Sequence, residues 1–301
     1  MSMSPEDDLL SSVLSAYHLR AGVYGSPRFC GAWQHSTAGM HRGAFHLIGT
    51  GGAWLHTRQQ AEPIRLEPGD LVVLPHDAWH MLSAGPVLQG EDSIPIQEGE
   101  GPYTVVVCGF FEFELGDKNP ILDALPEVLV ITHREGGRAL AALGELMMAE
   151  ADGSSVGTRT VLDRLADTLF VMVVRFYVNG LSEKRGVLAA LADERLRRAL
   201  AALHRKPGAD WTLESLAQEA GMSRSNFSQH FAAVVGATPI DYLTRWRMTQ
   251  AELALRNPRV SVATVAEQMG YETEAAFRKA FKRIHGVGPG AIKRWLKGRM
   301  P

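Results

Sequence analysis

Leu216-Ala217-Gln218-Glu219-Ala220-Gly221-Met222-Ser223-Arg224-Ser225-Asn226-Phe227-Ser228-Gln229-His230-Phe231 has a second copy, in pattern though not in letters, running from Val265 through Gly270 and Phe277 to Phe281. The glycines Gly221 and Gly270 stand 49 positions apart, and the phenylalanine pairs Phe227/Phe231 and Phe277/Phe281 stand 50 apart, so the second turn carries one extra residue. Each copy closes alike, on Gly236 and Pro239 in the first and on Gly286 and Pro289 in the second. The pattern dictates a helix, a sharp turn and a second helix. Leu216 or Val265 and the small Ala217 or Ala266 face inward from the first helix, so the second packs closely against it. Gly221 and Gly270 fall where that helix must stop, because glycine takes the left-handed conformation at little cost. Ser223 then serves as N-cap in the first copy, and Thr273 or Glu272 in the second. Phenylalanines four apart lie on one face and anchor the second helix, which leaves its opposite face clear of the core.

Charge divides near the same place. Residues 205 to 301 hold 15 Lys and Arg against 8 Asp and Glu, whereas residues 1 to 204 hold 16 against 25, so the overall −2 conceals a basic third and an acidic remainder. A basic helical region attracts phosphate, and an acidic one is repelled by it.

Residues 205–298 resemble the DNA-binding domain of AraC-type transcription regulators, in which two such motifs are joined by one long helix. Asp241 to Leu255 resembles that linking helix, with Ile240, Leu243, Met248, Ala251 and Leu255 at inward spacing, and Gly286-Val287-Gly288-Pro289 resembles the family's ending. The resemblance implies double-stranded promoter DNA as partner, with RNA polymerase a further candidate. On the first second-helix, Arg224, Ser225, Ser228 and Gln229 point away from the phenylalanines, and glutamine suits adenine while serine is tolerant. On the other, Glu274, Ala275, Arg278, Lys279, Lys282 and Arg283 occupy that face or its flanks, together with Ala276. A glutamate and two alanines read bases weakly. The first helix is therefore expected to carry more of the specificity and the second more of the phosphate contact. Arg245 and Arg247 on the linking helix are further cationic candidates.

Upstream, Phe29–Trp33, Phe45–Ile48, Ala53–His56, Leu71–Leu74, His80–Leu82 and Tyr103–Phe113 are rich in β-branched and aromatic residues and separated by Gly, Pro and Asp, the signature of a small antiparallel barrel or jelly roll. The block Leu66 to His80, with Gly69-Asp70, a buried run and Pro75 before the histidine, resembles the second cupin motif, and Phe45-His46 before Gly51-Gly52 resembles a reduced first one. Metal-binding cupins offer more ligands than His46 and His80, so a standard dioxygenase site is not expected. Those two histidines with Cys30 and Cys108 would suit zinc or copper(I). Alternatively the cysteines form a redox switch; Cys30-Gly31 and Cys108-Gly109 resemble patterns in a reactive-chlorine-responsive branch of the AraC-type regulators. The effector is then a small molecule, a metal or an oxidant. A plain pocket without metal or thiol chemistry fits these residues as well, since a buried cysteine is usually a small hydrophobe. Residues 85–102, acidic and turn-rich, read as a mobile loop.

Residues 135–204 read as a helical linker. Ala139–Met148 and Val161–Tyr177 have helical spacing, and the latter is apolar on more than one face. It is expected either to pack on the barrel or to pair with its copy in a homodimer. The fold class expected is α+β: a cupin-like barrel over 1–134, a linker and dimerisation segment over 135–204, and an all-α double helix-turn-helix over 205–298. The acidic start does not read as a signal peptide, and the longest apolar run, Leu169–Val174, is too short for a membrane span. With two cysteines, the chain reads as cytoplasmic, away from any membrane. The contending class is a cupin enzyme with a helical tail, against which the missing metal ligands speak; no catalytic activity is expected.

Overall fold

The computed structural model describes residues 9–16, 19–94, 102–113, 119, 121–153, 155–180 and 186–297. The chain forms two compact units. One contains the strands β1 (Leu19–Gly25), β2 (Arg28–Cys30), β3 (Gln34–His35), β4 (Gly43–Thr50), β5 (Ala53–Thr57), β6 (Ile64–Leu66), β7 (Leu71–Leu74), β8 (His80–Ser83), β9 (Tyr103–Phe113) and β10 (Leu129–Ile131), with the helices α2 (Gly137–Asp152) and α3 (Thr158–Gly180). The other contains α1 (Leu9–Ala16), a short turn at Leu122–Ala124, α4 (Val187–Ala192), α5 (Glu194–Arg205), α6 (Leu213–Ala220), α7 (Arg224–Val235), α8 (Pro239–Leu255), α9 (Val262–Gln268), α10 (Glu274–His285) and α11 (Pro289–Lys297).

In the β unit two antiparallel sheets face each other. The larger runs β1-β9-β4-β7-β10, with β2 also on β9, and the smaller runs β3-β8-β5-β6. Phe29, Trp33, Ile48, Leu55, Leu66, Val72, Leu74, Leu82, Val106 and Cys108 fill the space between them. The Gly-Asp turn is built as its residues require. Gly69 has φ +89°, and buried Asp70 accepts hydrogen bonds from the backbone N–H groups of Glu67 and His133, each at 2.8 Å.

Residues 135–204, expected as one linker, are shared between the units: α2 and α3 go with the sheets, α4 and α5 with the helices. The attachment of α3 is specific. Strand β1 is an edge, and its outward N–H groups at Ala21 and Val23 donate to Asp167 (3.0 Å) and Asp163 (3.4 Å), carboxylates one turn apart on α3. Helix carboxylates thus satisfy donors that an open edge would present to another strand. Leu162, Ala166, Leu169, Phe170, Val173 and Val174 are buried below them, and Phe170 meets Phe111 and Phe113 of β9.

The loop expected to be mobile over 85–102 is described as far as residue 94. That part is tied down: the buried Gln34 amide donates to the carbonyls of Asp92 (3.0 Å) and Gly90 (3.4 Å) and accepts from the Gln89 N–H. Residues 95–101 lie outside the described residues.

Candidate functional site

In the helical unit the two copies are built to one plan. Thr212 caps α6 in a reciprocal box with Ser215, and α6 ends at Gly221, φ +65°, whose N–H returns to the Ala217 and Gln218 carbonyls. Ser223 caps α7. In the second copy Ser261 caps α9, Gly270 takes φ +75°, and Thr273 rather than Glu272 caps α10 through the Ala276 N–H at 3.2 Å. One residue separates Gly221 from the cap Ser223 and two separate Gly270 from the cap Thr273, which accounts for the one-residue difference in the repeat. Both second helices end on left-handed glycines, Gly236 and Gly286.

Phe227, Phe231 and Val234 of α7 and Phe277 and Phe281 of α10 are buried. Helix α8 supplies Tyr242, Leu243 and Trp246 along its first half, and Met248, Ala251 and Leu255 to the core of the second copy. Ile240, expected inward, is 42% exposed. It follows Pro239 in the first turn of α8, where the inward positions belong to Tyr242 and Leu243.

The faces left outside differ in chemistry. Arg224, Ser225 and Gln229 on α7 are exposed and Ser228 is half-buried; fifty positions on, α10 exposes Ala275, Arg278, Lys279, Lys282 and Arg283, with Glu274 half-buried. Beyond Arg224 at its start, α7 presents neutral hydrogen-bonding groups, whereas α10 presents a cationic ridge. Arg278 is not free within that ridge, because its guanidinium holds the Glu274 carboxylate at 2.5 Å. Arg247, counted above among the cations, turns inward and donates to the carbonyls of Pro207 and Ala209.

Sequence reasoning missed the support behind α7. Asp193 ends α4, caps α5 through the Arg195 (2.9 Å) and Leu196 (3.1 Å) N–H groups, and with its other oxygen accepts from His230 Nε2 on α7 at 2.7 Å. The Gly186 N–H donates to the Val234 carbonyl at 2.7 Å. Burial raises the Asp193 pKa, but the hydrogen bonds from His230, Leu196 and Arg195 outweigh it, and the net displacement is downward. The aspartate before Glu194-Arg195-Leu196 was the visible signal for that cap.

In the β unit, His46 of β4 and His80 of β8 meet between the sheets, Nε2 to Nε2 at 3.0 Å, and Thr37 Oγ1 stands 3.3 Å from each. Cys108 is the cross-strand neighbour of His46, with its Sγ 3.3 Å from His46 Nδ1. Burial drives both imidazole pKa values down, His46 well below the usual range, where the neighbouring His80 and His35 add to the effect. Burial pushes the Cys108 thiol up to about 12. The cluster is therefore a neutral polar spot in an apolar interior.

Cys30 does not join it. It pairs with Tyr103 on β9, five positions from Cys108. At ~3.4 Å per residue that is about 17 Å, and an odd offset places the two side chains on opposite faces of the sheet. The expected meeting of Cys30 and Cys108 fails on register. The metal fit is poor for a related reason: Cys108 faces Nδ1 of His46, while the two histidines face each other through Nε2. That leaves two imidazoles and a neutral hydroxyl, short of the three protein ligands of a catalytic zinc site, and among the described residues no three His, Cys, Asp or Glu side chains gather for a metal ion.

A buried β-sandwich followed by twin helix-turn-helix motifs, one with a cationic outer face, defines a DNA-binding regulator. A family model described as a cupin matches residues 8–179, and one described as a helix-turn-helix domain matches residues 216–294. The chain is 30% identical to an HTH-type transcriptional regulator of Haemophilus influenzae, over 95% of this chain and 98% of that one. It is 30% identical to a putative AraC-like transcription regulator of Streptomyces lividans, over 97% and 98%. It is 28% identical to the RCS-specific transcriptional activator RclR of Escherichia coli, over 89% and 91%. The chain belongs to the AraC-type family of transcription regulators that carry an N-terminal cupin domain. It is a regulator rather than an enzyme, and its partner is double-stranded DNA. Among the described residues no helix is long and apolar enough to cross a membrane.

Proposed function

We propose that this regulator reads its operator with α7, holds the phosphates beside it with α10, and is governed by a signal received in the β unit. The observation that carries the DNA-reading part is the equivalence of the outer faces fifty residues apart, with Ser225, Ser228 and Gln229 on one and Ala275, Arg278, Lys279, Lys282 and Arg283 on the other. Neutral donors and acceptors suit base edges and cations suit phosphates. The signal acts at the His46–His80–Thr37–Cys108 cluster. Uncharged, hydrogen-bonding groups among apolar side chains support a small neutral molecule as effector over zinc, copper or an oxidant.

The regulator works in the cytoplasm as a homodimer, beside RNA polymerase. Leu146 of α2 and Val161 of α3 remain exposed, at 51% and 41%, and supply apolar surface for a second copy.

Retention of genomic fragments on the purified full chain at moderate ionic strength tests the DNA reading, and selective retention that Gln229→Ala weakens is expected. Indifference to sequence would refute it. Metal analysis and thiol titration on the same material test the effector reading: stoichiometric zinc or copper, or a thiol count that oxidant lowers while DNA binding changes, would overturn the neutral-ligand reading.

A further inference from the structure

The two motifs touch each other through their backbones. Residues 206–210 lead the chain into α6, which opens the first motif, and Gln268–Tyr271 form the turn of the second. Here their backbones are in contact. A Cβ added at Gly208 would stand 2.1 Å from the Gln268 carbonyl oxygen, and one at Gly270 would stand 2.4 Å from the Gly208 carbonyl oxygen. Neither glycine tolerates a side chain without parting the two segments.

Onto this junction α8 turns Arg247. Its Nε donates to the Pro207 carbonyl and its Nη2 to the Ala209 carbonyl, both at 2.7 Å. The guanidinium carbon lies 5.9 Å from the centroid of the Tyr271 ring, in the turn of the other motif. One side chain on the linking helix therefore holds the entry of the first motif while resting against the turn of the second. Two carbonyls approached by one planar fork suit arginine, and a lysine ammonium does not reproduce that geometry.

We propose that Arg247 is a positioning residue for DNA recognition: by clamping residues 206–210 against the Gln268–Tyr271 turn it fixes the separation of α7 and α10, and so the number of base pairs the regulator accepts between the sites they contact. The inference rests on both motifs binding DNA, and it assigns Arg247 no phosphate. One added base pair moves the second contact site by about 3.4 Å and turns it by about 35° around the duplex axis. A clamped pair of helices cannot follow that displacement, whereas a loosened pair can.

The test uses a duplex enriched from a random-sequence pool on the wild-type full chain, together with the same duplex carrying one base pair inserted or removed between the two protected sites. Affinities are measured over a salt series for wild type, Arg247→Gln and Arg247→Lys. For wild type the altered spacing should cost at least about tenfold. For Arg247→Gln binding to the parent duplex should fall, the spacing penalty should shrink to a few-fold, and the salt slope should stay as in wild type. Arg247→Lys should lie between, which keeps the test open if the glutamine variant does not fold. A slope lower by about one unit would make Arg247 a phosphate ligand, and a spacing penalty equal to that of wild type would make its role one of stability alone; either result overturns the clamp. If wild type enriches no duplex, the DNA-reading assignment fails, and that outcome is distinct from failure of the clamp.

Discussion

Lys282 and Glu274 lie on the same helix and should shift DNA affinity in opposite directions. Lys282 is exposed on the outer face of α10, where the proposed role has its ammonium meet a phosphate. Replacing it by alanine removes one phosphate contact, and the plot of log affinity against log salt should flatten by about 0.9. Across a fourfold change, from roughly 50 to 200 mM, that slope amounts to about 3.5-fold. The deficit of Lys282→Ala should therefore be largest in dilute salt and narrow by that factor at the higher concentration, equally for every sequence. Glu274 neutralises Arg278 across 2.5 Å. Glu274→Ala releases that cation, so binding should tighten on all duplexes and the slope should steepen by up to about 0.9. Neither change touches the core, and an exposed substitution of this kind stays within about 0.5 kcal/mol in stability, apart from a few tenths for the lost acid in the first turn of α10. Fluorescence anisotropy on one operator and one unrelated duplex over a salt series decides the matter. A Lys282→Ala loss confined to one sequence, or Glu274→Ala binding more weakly than wild type, would refute the division of labour between α7 and α10.

Gln229→Ala should relax preference at a single operator position by about 1–3 kcal/mol if the amide makes a bidentate base contact; unchanged ranking of single-base operator variants would reject that role. Cys108, with its pKa pushed up to about 12, is thiolate in only about one part in 10⁴ at pH 8. A thiol reagent at pH 8 should thus modify it only after unfolding, and rapid modification of Cys108 in a folded Cys30→Ser chain would contradict its burial. Burial holds His46 and His80 below the ordinary histidine value of 6.5, so the unfolded chain takes up protons that the folded one refuses. Stability is whole above about pH 6.5 and falls as pH drops below it. The melting temperature should decline between pH 7.5 and 5, and a flat profile would count against two neutral buried imidazoles. Phe277→Ala empties the core of the second motif and should cost about 3–5 kcal/mol, measured by denaturant unfolding; a loss below about 1 kcal/mol would show that α10 is anchored elsewhere.

The duplicated motif was legible because its information is local. Glycine stops, Ser or Thr caps and phenylalanines four apart each act within a few residues, and both copies formed as read. Strands β2, β4, β5, β7, β8 and β9 were equally visible as β-branched and aromatic runs. Strand β1 escaped notice because Leu19-Arg-Ala-Gly-Val-Tyr-Gly25 carries two glycines and an arginine, and its state is set by pairing with β9 and by carboxylates from α3. Strands β6 and β10 are three residues each, too short for alternation to register. The pairing of His46 with His80 and Cys108 was half visible: the residue types were found, but which nitrogen faces which atom depends on strand register. Register likewise removed Cys30 from the cluster. Arg247 looked like surface charge because its two acceptors are carbonyls some forty residues upstream, and no helical periodicity could reveal that.

Three helices converge on Asp193, whose backbone N–H closes one and whose carboxylate opens the next and steadies the third by way of His230. The first reading helix therefore depends on chain that precedes its own motif, whereas the second is seated within the core it shares with α8 and α9. A protein fragment begun at residue 205, where the likeness to the DNA-binding domain sets in, would cut away the abutment on which α7 leans. A fragment that keeps this abutment, including the Gly186 N–H held by the Val234 carbonyl, starts ahead of residue 187.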